Sequence, residues 1–160
     1  MTNEAKRRLK HPDTPYFRYN NVNPKGKITT DCVYRAISNA MQLPYAQVAR
    51  EMTELQIQTG WDTGETRLID KYIQSKGWIR HSQPYSIDYD GKKRKYTGKE
   101  FVNYIIKLQH SKLYNSLNNT FSRIIMNIGS EHLSCIINDK IEDIWNCSNN
   151  CVGIWWSQLK

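Results

Sequence analysis

Cys32 stands where a turn-rich segment gives way to an amphipathic pattern, and His132 follows about a hundred residues later at the head of a β-rich stretch. A thiol in the first turn of a helix faces the positive end of the macrodipole and unpaired backbone N–H groups, both of which favour its thiolate. The segment reads Asn23-Pro24-Lys25-Gly26-Lys27-Ile28-Thr29-Thr30-Asp31-Cys32, and Val33, Ala36, Ile37, Ala40 and Met41 then recur at helical spacing. Such a thiolate is a nucleophile for acyl transfer and needs a base, for which His132 is the candidate and His81 the reserve. An imidazole that takes the thiol proton and returns one to a leaving group needs its second ring nitrogen held by an acceptor.

Two residues compete for that part. If Asn138-Asp139-Lys140 is a three-residue turn, His132 falls opposite Asn146 on the returning strand. If the loop is Asn138-Asp139 alone, His132 faces Trp145 and Asp143 lies diagonal to it on the same side. Side chains directly opposite lie about 5 Å apart and diagonal ones about 7–8 Å, so either register supplies an orienting partner. Cys135, Cys147 and Cys151 read as small buried hydrophobes. With His132 they have the ligand types of a zinc site, but residues 132 and 135 point to opposite faces of a regular strand, so no metal is expected. Arg35, three residues past Cys32, reads as half of a structural ion pair. Trp145, Trp155 and Trp156 read as core, with one of them near His132 able to screen the ion pair from water.

The elements that would position these residues can be followed along the chain. Residues 1–30 carry Pro12, Pro15, Pro24 and Gly26 among polar residues and read as an irregular arm. Helices are expected from Cys32 to Leu43, from Tyr45 to a stop at Gly60, and from Thr66 to Lys76 with Gly77 beyond. Trp78–His81 is a short strand, and Lys92-Lys93-Arg94-Lys95 an exposed loop. Thr97 and Glu100 form a capping box for a fourth helix that fades near His110. Phe121–Ile128, Leu133–Ile137, Ile141–Asn146 and Val152–Trp156 are strands of an antiparallel meander. Helices first and strands second predict an α+β domain spanning 1–160, an N-terminal helical cluster packed on a C-terminal antiparallel sheet.

Composition narrows the function classes. A chain of 160 residues can bury a core without disulfides or a structural metal, so size demands no cofactor. Four scattered cysteines with no signal peptide point to free thiols in a reducing, cytoplasmic setting. No apolar run is long enough to span a membrane. The net charge of +8 is concentrated partly at Lys6-Arg7-Arg8-Leu9-Lys10 and Lys92-Lys93-Arg94-Lys95; solvated surface is the preferred reading, since no nucleic-acid motif accompanies either cluster. Nothing in the chain speaks to oligomeric state.

The order of helix-leading Cys32, His132 and Asn146 resembles the papain-like cysteine peptidase superfamily. Asp31-Cys32-Val33-Tyr34-Arg35-Ala36-Ile37-Ser38 is similar to the cysteine box of ovarian-tumour-type deubiquitinases. Together with Asn23-Pro24, Glu131-His132-Leu133 and Asp143-Ile144-Trp145-Asn146-Cys147, it is closer to small papain-like proteins of bacteriophages and their bacterial hosts. The resemblance implies a papain-like thiol hydrolase acting on a protein or peptide, in the host cytoplasm if phage-encoded. It assigns Cys32 as nucleophile, His132 as base and acid, and Asn146 as orienter, with Asp143 the competing choice. The superfamily places a glutamine before the cysteine to bind the oxyanion; no glutamine precedes Cys32, so Asn23 and the Cys32 backbone N–H inherit that part. The glycine that deubiquitinases carry between aspartate and cysteine is also missing, so ubiquitin specificity does not transfer. The competing expectation is a catalytically silent papain-like fold serving as a basic binding module, such as a phage-encoded inhibitor of a host protein or nucleic-acid complex.

Overall fold

A hydrophobic sheet is sandwiched between helices in the computed structural model, which describes residues 1–111 and 119–159. Residues 112–118 and 160 of the predicted domain lie outside the described residues. The element order is α1 (Asn3–Lys10), β1 (Phe17–Tyr19), α2 (Cys32–Met41), α3 (Tyr45–Thr59), α4 (Thr66–Ser75), β2 (Trp78–His81), β3 (Tyr85–Ile87), β4 (Lys93–Lys95), α5 (Gly98–Gln109), β5 (Asn119–Ile128), β6 (His132–Ile137), β7 (Lys140–Asp143) and β8 (Val152–Leu159). The class is therefore α+β. Among the described residues no helix is long and apolar enough to cross a membrane.

The main sheet has the order β1-β7-β6-β5-β8-β2 and is mixed, because β1 runs parallel to β7. Both features correct the expected antiparallel meander. With the outer edge of β7 occupied by β1, β8 returns to pair with the far edge of β5 instead. β5 then lies between two partners, and its residues alternate between two cores: Ile125 faces the cluster under α2, α3 and α4, while Ile124, Met126 and Ile128 face the cluster under α5. Helices thus cover both faces rather than one. A strand buried on both faces reads as a continuous apolar run, which is what Ile124-Ile125-Met126 is.

The expected irregular arm is also corrected. Residues 3–10 form α1, capped by Thr2, whose Oγ1 accepts the Ala5 N–H at 3.1 Å, with Glu4 in the first turn and Arg7, Arg8 and Lys10 in the last. Those charges complement the helix dipole. α1 buries no residue, so it carries no apolar stripe by which periodicity could reveal it. The Lys92 run, expected as a loop, supplies β4 and pairs with β3 in a separate two-stranded sheet.

α2 is the helix that matters for the site. Ala36 and Ala40, one turn apart, let its backbone approach β6 closely, while Val33 and Ile37 pack on Leu133, Cys135 and Ile137. The helix and β6 run in the same sense. Its first residue meets the start of β6, and farther along the Asn39 amide reaches Cys135 Sγ at 3.5 Å and Glu142 Oε2 at 3.0 Å.

Gly98, the first residue of α5, is wedged against the segment after β7. Its N–H donates to Asn150 O at 2.9 Å, and the Lys99 N–H donates to Ser148 O at 2.9 Å. A Cβ at Gly98 would lie 2.9 Å from the Cys147 carbonyl oxygen and 3.0 Å from Ser148 Cα, both backbone atoms that cannot swing aside. Helix propensity favours alanine over glycine by about 1 kcal/mol. Overpacking costs about 1–3 kcal/mol and acts in the opposite direction. Gly98→Ala is expected to lower the urea midpoint; an unchanged or raised midpoint would show that the wedge yields.

Candidate active site

Cys32 opens α2 after Asp31, and its half-buried sulfur accepts hydrogen bonds from the His132 imidazole and the Leu133 backbone N–H. The chain that makes this meeting is short. Asn138 and Asp139 both take positive φ, 46° and 68°, as a two-residue type I′ hairpin turn requires. That turn sets Ile137 opposite Lys140 and Cys135 opposite Glu142. Counting outward, His132 falls diagonal to Asp143, and the two side chains meet at 2.5 Å between Nε2 and Oδ2. With Nε2 so occupied, Nδ1 remains for the sulfur.

The structure therefore brings Cys32, His132 and Asp143 together and leaves Asn146 out. The Asn146 N–H donates to His11 Nδ1 at the end of α1 at 3.3 Å, and its Oδ1 accepts the Ser148 N–H at 3.2 Å within the segment after β7. Asn23, expected at the oxyanion, is engaged within the loop before α2. Its amide donates to Asp31 Oδ2 at 2.9 Å, and its Oδ1 accepts from Lys25 and Lys27 in the turn before α2. The Cys32 N–H remains as a first-turn donor, since the first backbone bond of α2 runs from Arg35 N to Asp31 O.

The reserve base His81 lies on β2, at the sheet edge remote from β6. Its Nε2 is 2.7 Å from Ser157 Oγ, and its ring stacks on Trp155 at 3.8 Å. The cysteines of the zinc alternative are dispersed. Cys135 sits in the core under α2, Cys147 in the core under α5, and Cys151 is exposed in a bridge with Thr97. Among the described residues no three His, Cys, Asp or Glu side chains are grouped to hold a metal ion.

The electrostatics favour an ion pair. Burial is the largest single influence on His132 and pulls its pKa down, but hydrogen bonds to Asp143 and Cys32 and their charges outweigh it and push it up to about 9. Burial pushes the Cys32 thiol up, and the His132 hydrogen bond, the Leu133 N–H and the imidazolium charge more than offset it, so its pKa lies below the ordinary thiol value. Between those two pKa values the sulfur is a thiolate and the imidazole is charged. Trp145 presents its ring edge-on to His132 at 4.8 Å and shields the pair from water on one side.

Behind these three residues lies a network that composition and spacing left unseen. Asp143 Oδ1 accepts the Ile144 N–H at 2.7 Å and lies 3.8 Å from an Arg35 guanidinium nitrogen. Arg35 also pairs with Asp31 and donates to Thr29 O at 3.3 Å, and Tyr45 donates its hydroxyl to Asp31 Oδ2 at 2.7 Å. One cation thus links the residue before Cys32 to the carboxylate that holds His132. The i, i+4 spacing of Asp31 and Arg35 was the available signal; the long-range partner, Asp143, was not.

Cys32 and His132 sit between two cavities that both open on the sulfur. One, of about 420 Å³, is lined by small polar residues, among them Thr30, Thr63, Thr66, Asn127 and Ser130. The other, of about 520 Å³, is lined by Ile28, Ile144 and Trp145 with Arg7 at its rim. Glu131 borders both. No family model, curated protein or solved structure matches this chain.

Proposed function

We propose that the protein is a papain-like thiol hydrolase, a cysteine peptidase or isopeptidase, in which Cys32 is the nucleophile, His132 the general base and acid, and Asp143 the group that orients His132. The observation that carries this reading is the unbroken line from Sγ of Cys32 through the His132 ring to Asp143 at the junction of two open cavities. The Cys32 thiolate adds to an acyl carbon, the oxyanion forms against the Cys32 N–H, and the His132 imidazolium gives its proton to the departing amine. His132, now neutral, takes a proton from water, which attacks the acyl-enzyme and releases the acid with the thiolate restored. Two cavities flanking one sulfur suit a chain that continues on both sides of the scissile bond, so cleavage within a polypeptide fits better than trimming of an end.

The protein carries its own control for the nucleophile. All four cysteines are free: Cys135 and Cys147 are buried, and Cys151 is exposed and lines neither cavity beside Cys32. Under limiting iodoacetamide at pH 6.5, read by peptide mass spectrometry, Cys32 is expected to be labelled at least about tenfold faster than Cys151, because only thiolate reacts and only Cys32 has a cation at its sulfur. Equal labelling, or Cys151 first, would remove the nucleophile from the proposal. Hydrolysis of an internally quenched peptide mixture is expected to rise through the lowered Cys32 pKa and to fall as pH passes about 9, where the imidazolium loses its proton.

A further inference from the structure

Tyr85, Ile87 and Tyr89 are three of the six large hydrophobic residues exposed among the described residues, and they fall within one five-residue stretch. Residues 85 and 87 share a face of β3 by alternation. Their cross-strand partners on β4 are Lys95 and Lys93, so that face carries Tyr85, Ile87, Lys93 and Lys95 together, with the Lys93 ammonium 5.7 Å from the Tyr85 ring centre. Tyr89 stands fully exposed at the turn.

The opposite face is fastened to the body of the protein. Arg94, opposite Ser86, forks onto Glu100 at 3.0 and 2.7 Å and approaches Asp88 at 3.5 Å, while Glu100 also caps α5. The Tyr85 hydroxyl donates to Gln83 at 3.2 Å, and the Gln83 amide donates to Val152 O on β8 at 3.0 Å. Ile87 and Tyr89 lie outside this fastening, and the pinned ribbon presents them to solvent. The acids of the hairpin are already engaged, Asp88 by Arg94 and Asp90 by Lys92 at 3.6 Å, which leaves Lys93 and Lys95 without a carboxylate among the described residues.

We infer that the outward face of the β3–β4 hairpin binds single-stranded nucleic acid, with bases stacking on Tyr85 and Tyr89 and phosphates drawn to Lys93 and Lys95. Stacking on exposed rings beside a cationic track is how sequence-tolerant strand binding works. The choice over an anionic membrane rests on apolar area: Ile87 is the one aliphatic side chain on this face, and interfacial binding scales with the apolar surface inserted. This surface is independent of the thiol chemistry proposed above.

The test uses the full-length protein and a fluorescein-labelled twenty-nucleotide oligo-dT, followed by anisotropy from 25 to 200 mM salt. Binding is expected to weaken steeply with salt. Tyr85→Ala with Tyr89→Ala is expected to weaken it at least about tenfold at fixed salt, in keeping with the loss of two stacking surfaces. Lys93→Gln with Lys95→Gln is expected to reduce the slope of log K against log salt by about 1.4, two charges at about 0.7 each on a single strand. Cys32 labelling in each variant reports that the rest of the fold is intact. Four outcomes would overturn the inference: no binding by the wild type; equal binding by all variants; loss confined to Lys6→Gln with Lys10→Gln in α1; or capture by phosphatidylserine vesicles without binding to the oligonucleotide.

Discussion

His132→Ala is expected to slow iodoacetamide labelling of Cys32 at pH 7 by roughly tenfold or more and to cut acyl hydrolysis by about 10²- to 10⁴-fold. The first figure follows from the thiolate fraction. In the wild type the ring and its charge hold the thiol below its ordinary value against burial; with the ring gone, burial and the Asp143 charge both push the thiol up, opposed by the Leu133 N–H and the helix terminus. Even at an ordinary value near 8.5, only about 3 % of a thiol is ionised at pH 7. The sign of the pH dependence separates the two proteins. Wild-type labelling is expected to level off at a lower pH than labelling of the variant, which should climb about tenfold for each pH unit between 6 and 8. The second figure is larger because hydrolysis also loses its proton donor and the base for the water step. His132→Gln fills the space without titrating and should behave as the alanine variant does, which separates chemistry from a collapsed site. Asp143→Asn keeps the ring and removes the charge behind it, so its labelling profile should fall between the two. Superimposable profiles for wild type and His132→Ala would mean that Cys32 owes its state to the helix terminus alone.

Much of this site was legible because its parts are local. Cys32 at a loop-to-helix change, the capping box of Thr97 and Glu100, and Gly60 and Gly77 with φ of 72° and 80° at helix ends are each fixed by a few neighbouring residues. The His132 partner was narrowed to two residues, and one turn decided between them. Asn138 and Asp139 both adopt left-handed backbone, which a shorter Asx-rich turn tolerates, and a single-residue change of loop length would have exchanged Asp143 for Asn146. Long-range pairings were a different matter. β1 joins β7 across more than a hundred residues, and nothing in Phe17-Arg18-Tyr19 encodes that partner beyond two aromatics on one face. The same holds for Arg35, whose tie to Asp31 is written in helical spacing while its tie to Asp143 exists only once β7 is in place.

That second tie makes Arg35 a polar residue whose loss should be costly to stability. Arg35→Met is expected to destabilise the fold by about 3–5 kcal/mol, the range for breaking a buried ion pair and leaving its partners uncompensated. Asp31 would be left without its cation and Asp143 with His132 alone: the side chains of Arg35 and Asp31 are each only 7 % exposed, and that of Asp143 is 4 % exposed. By contrast Arg67 and Glu65 pair at the surface, where about 0–1 kcal/mol is the usual worth, so Arg67→Met provides the reference substitution. Urea denaturation of both variants measures the difference, and a loss below about 1 kcal/mol for Arg35→Met would place it with surface pairs. Asp31→Asn combined with Arg35→Met should recover part of the loss, because the amide that replaces the Asp31 carboxylate carries no charge yet keeps an oxygen for the Tyr45 hydroxyl. The functional consequence is separable from stability. Asp31 precedes Cys32 and Asp143 holds His132, so a folded double variant with intact core but slower Cys32 labelling would show that one buried cation sets the distance between sulfur and imidazole.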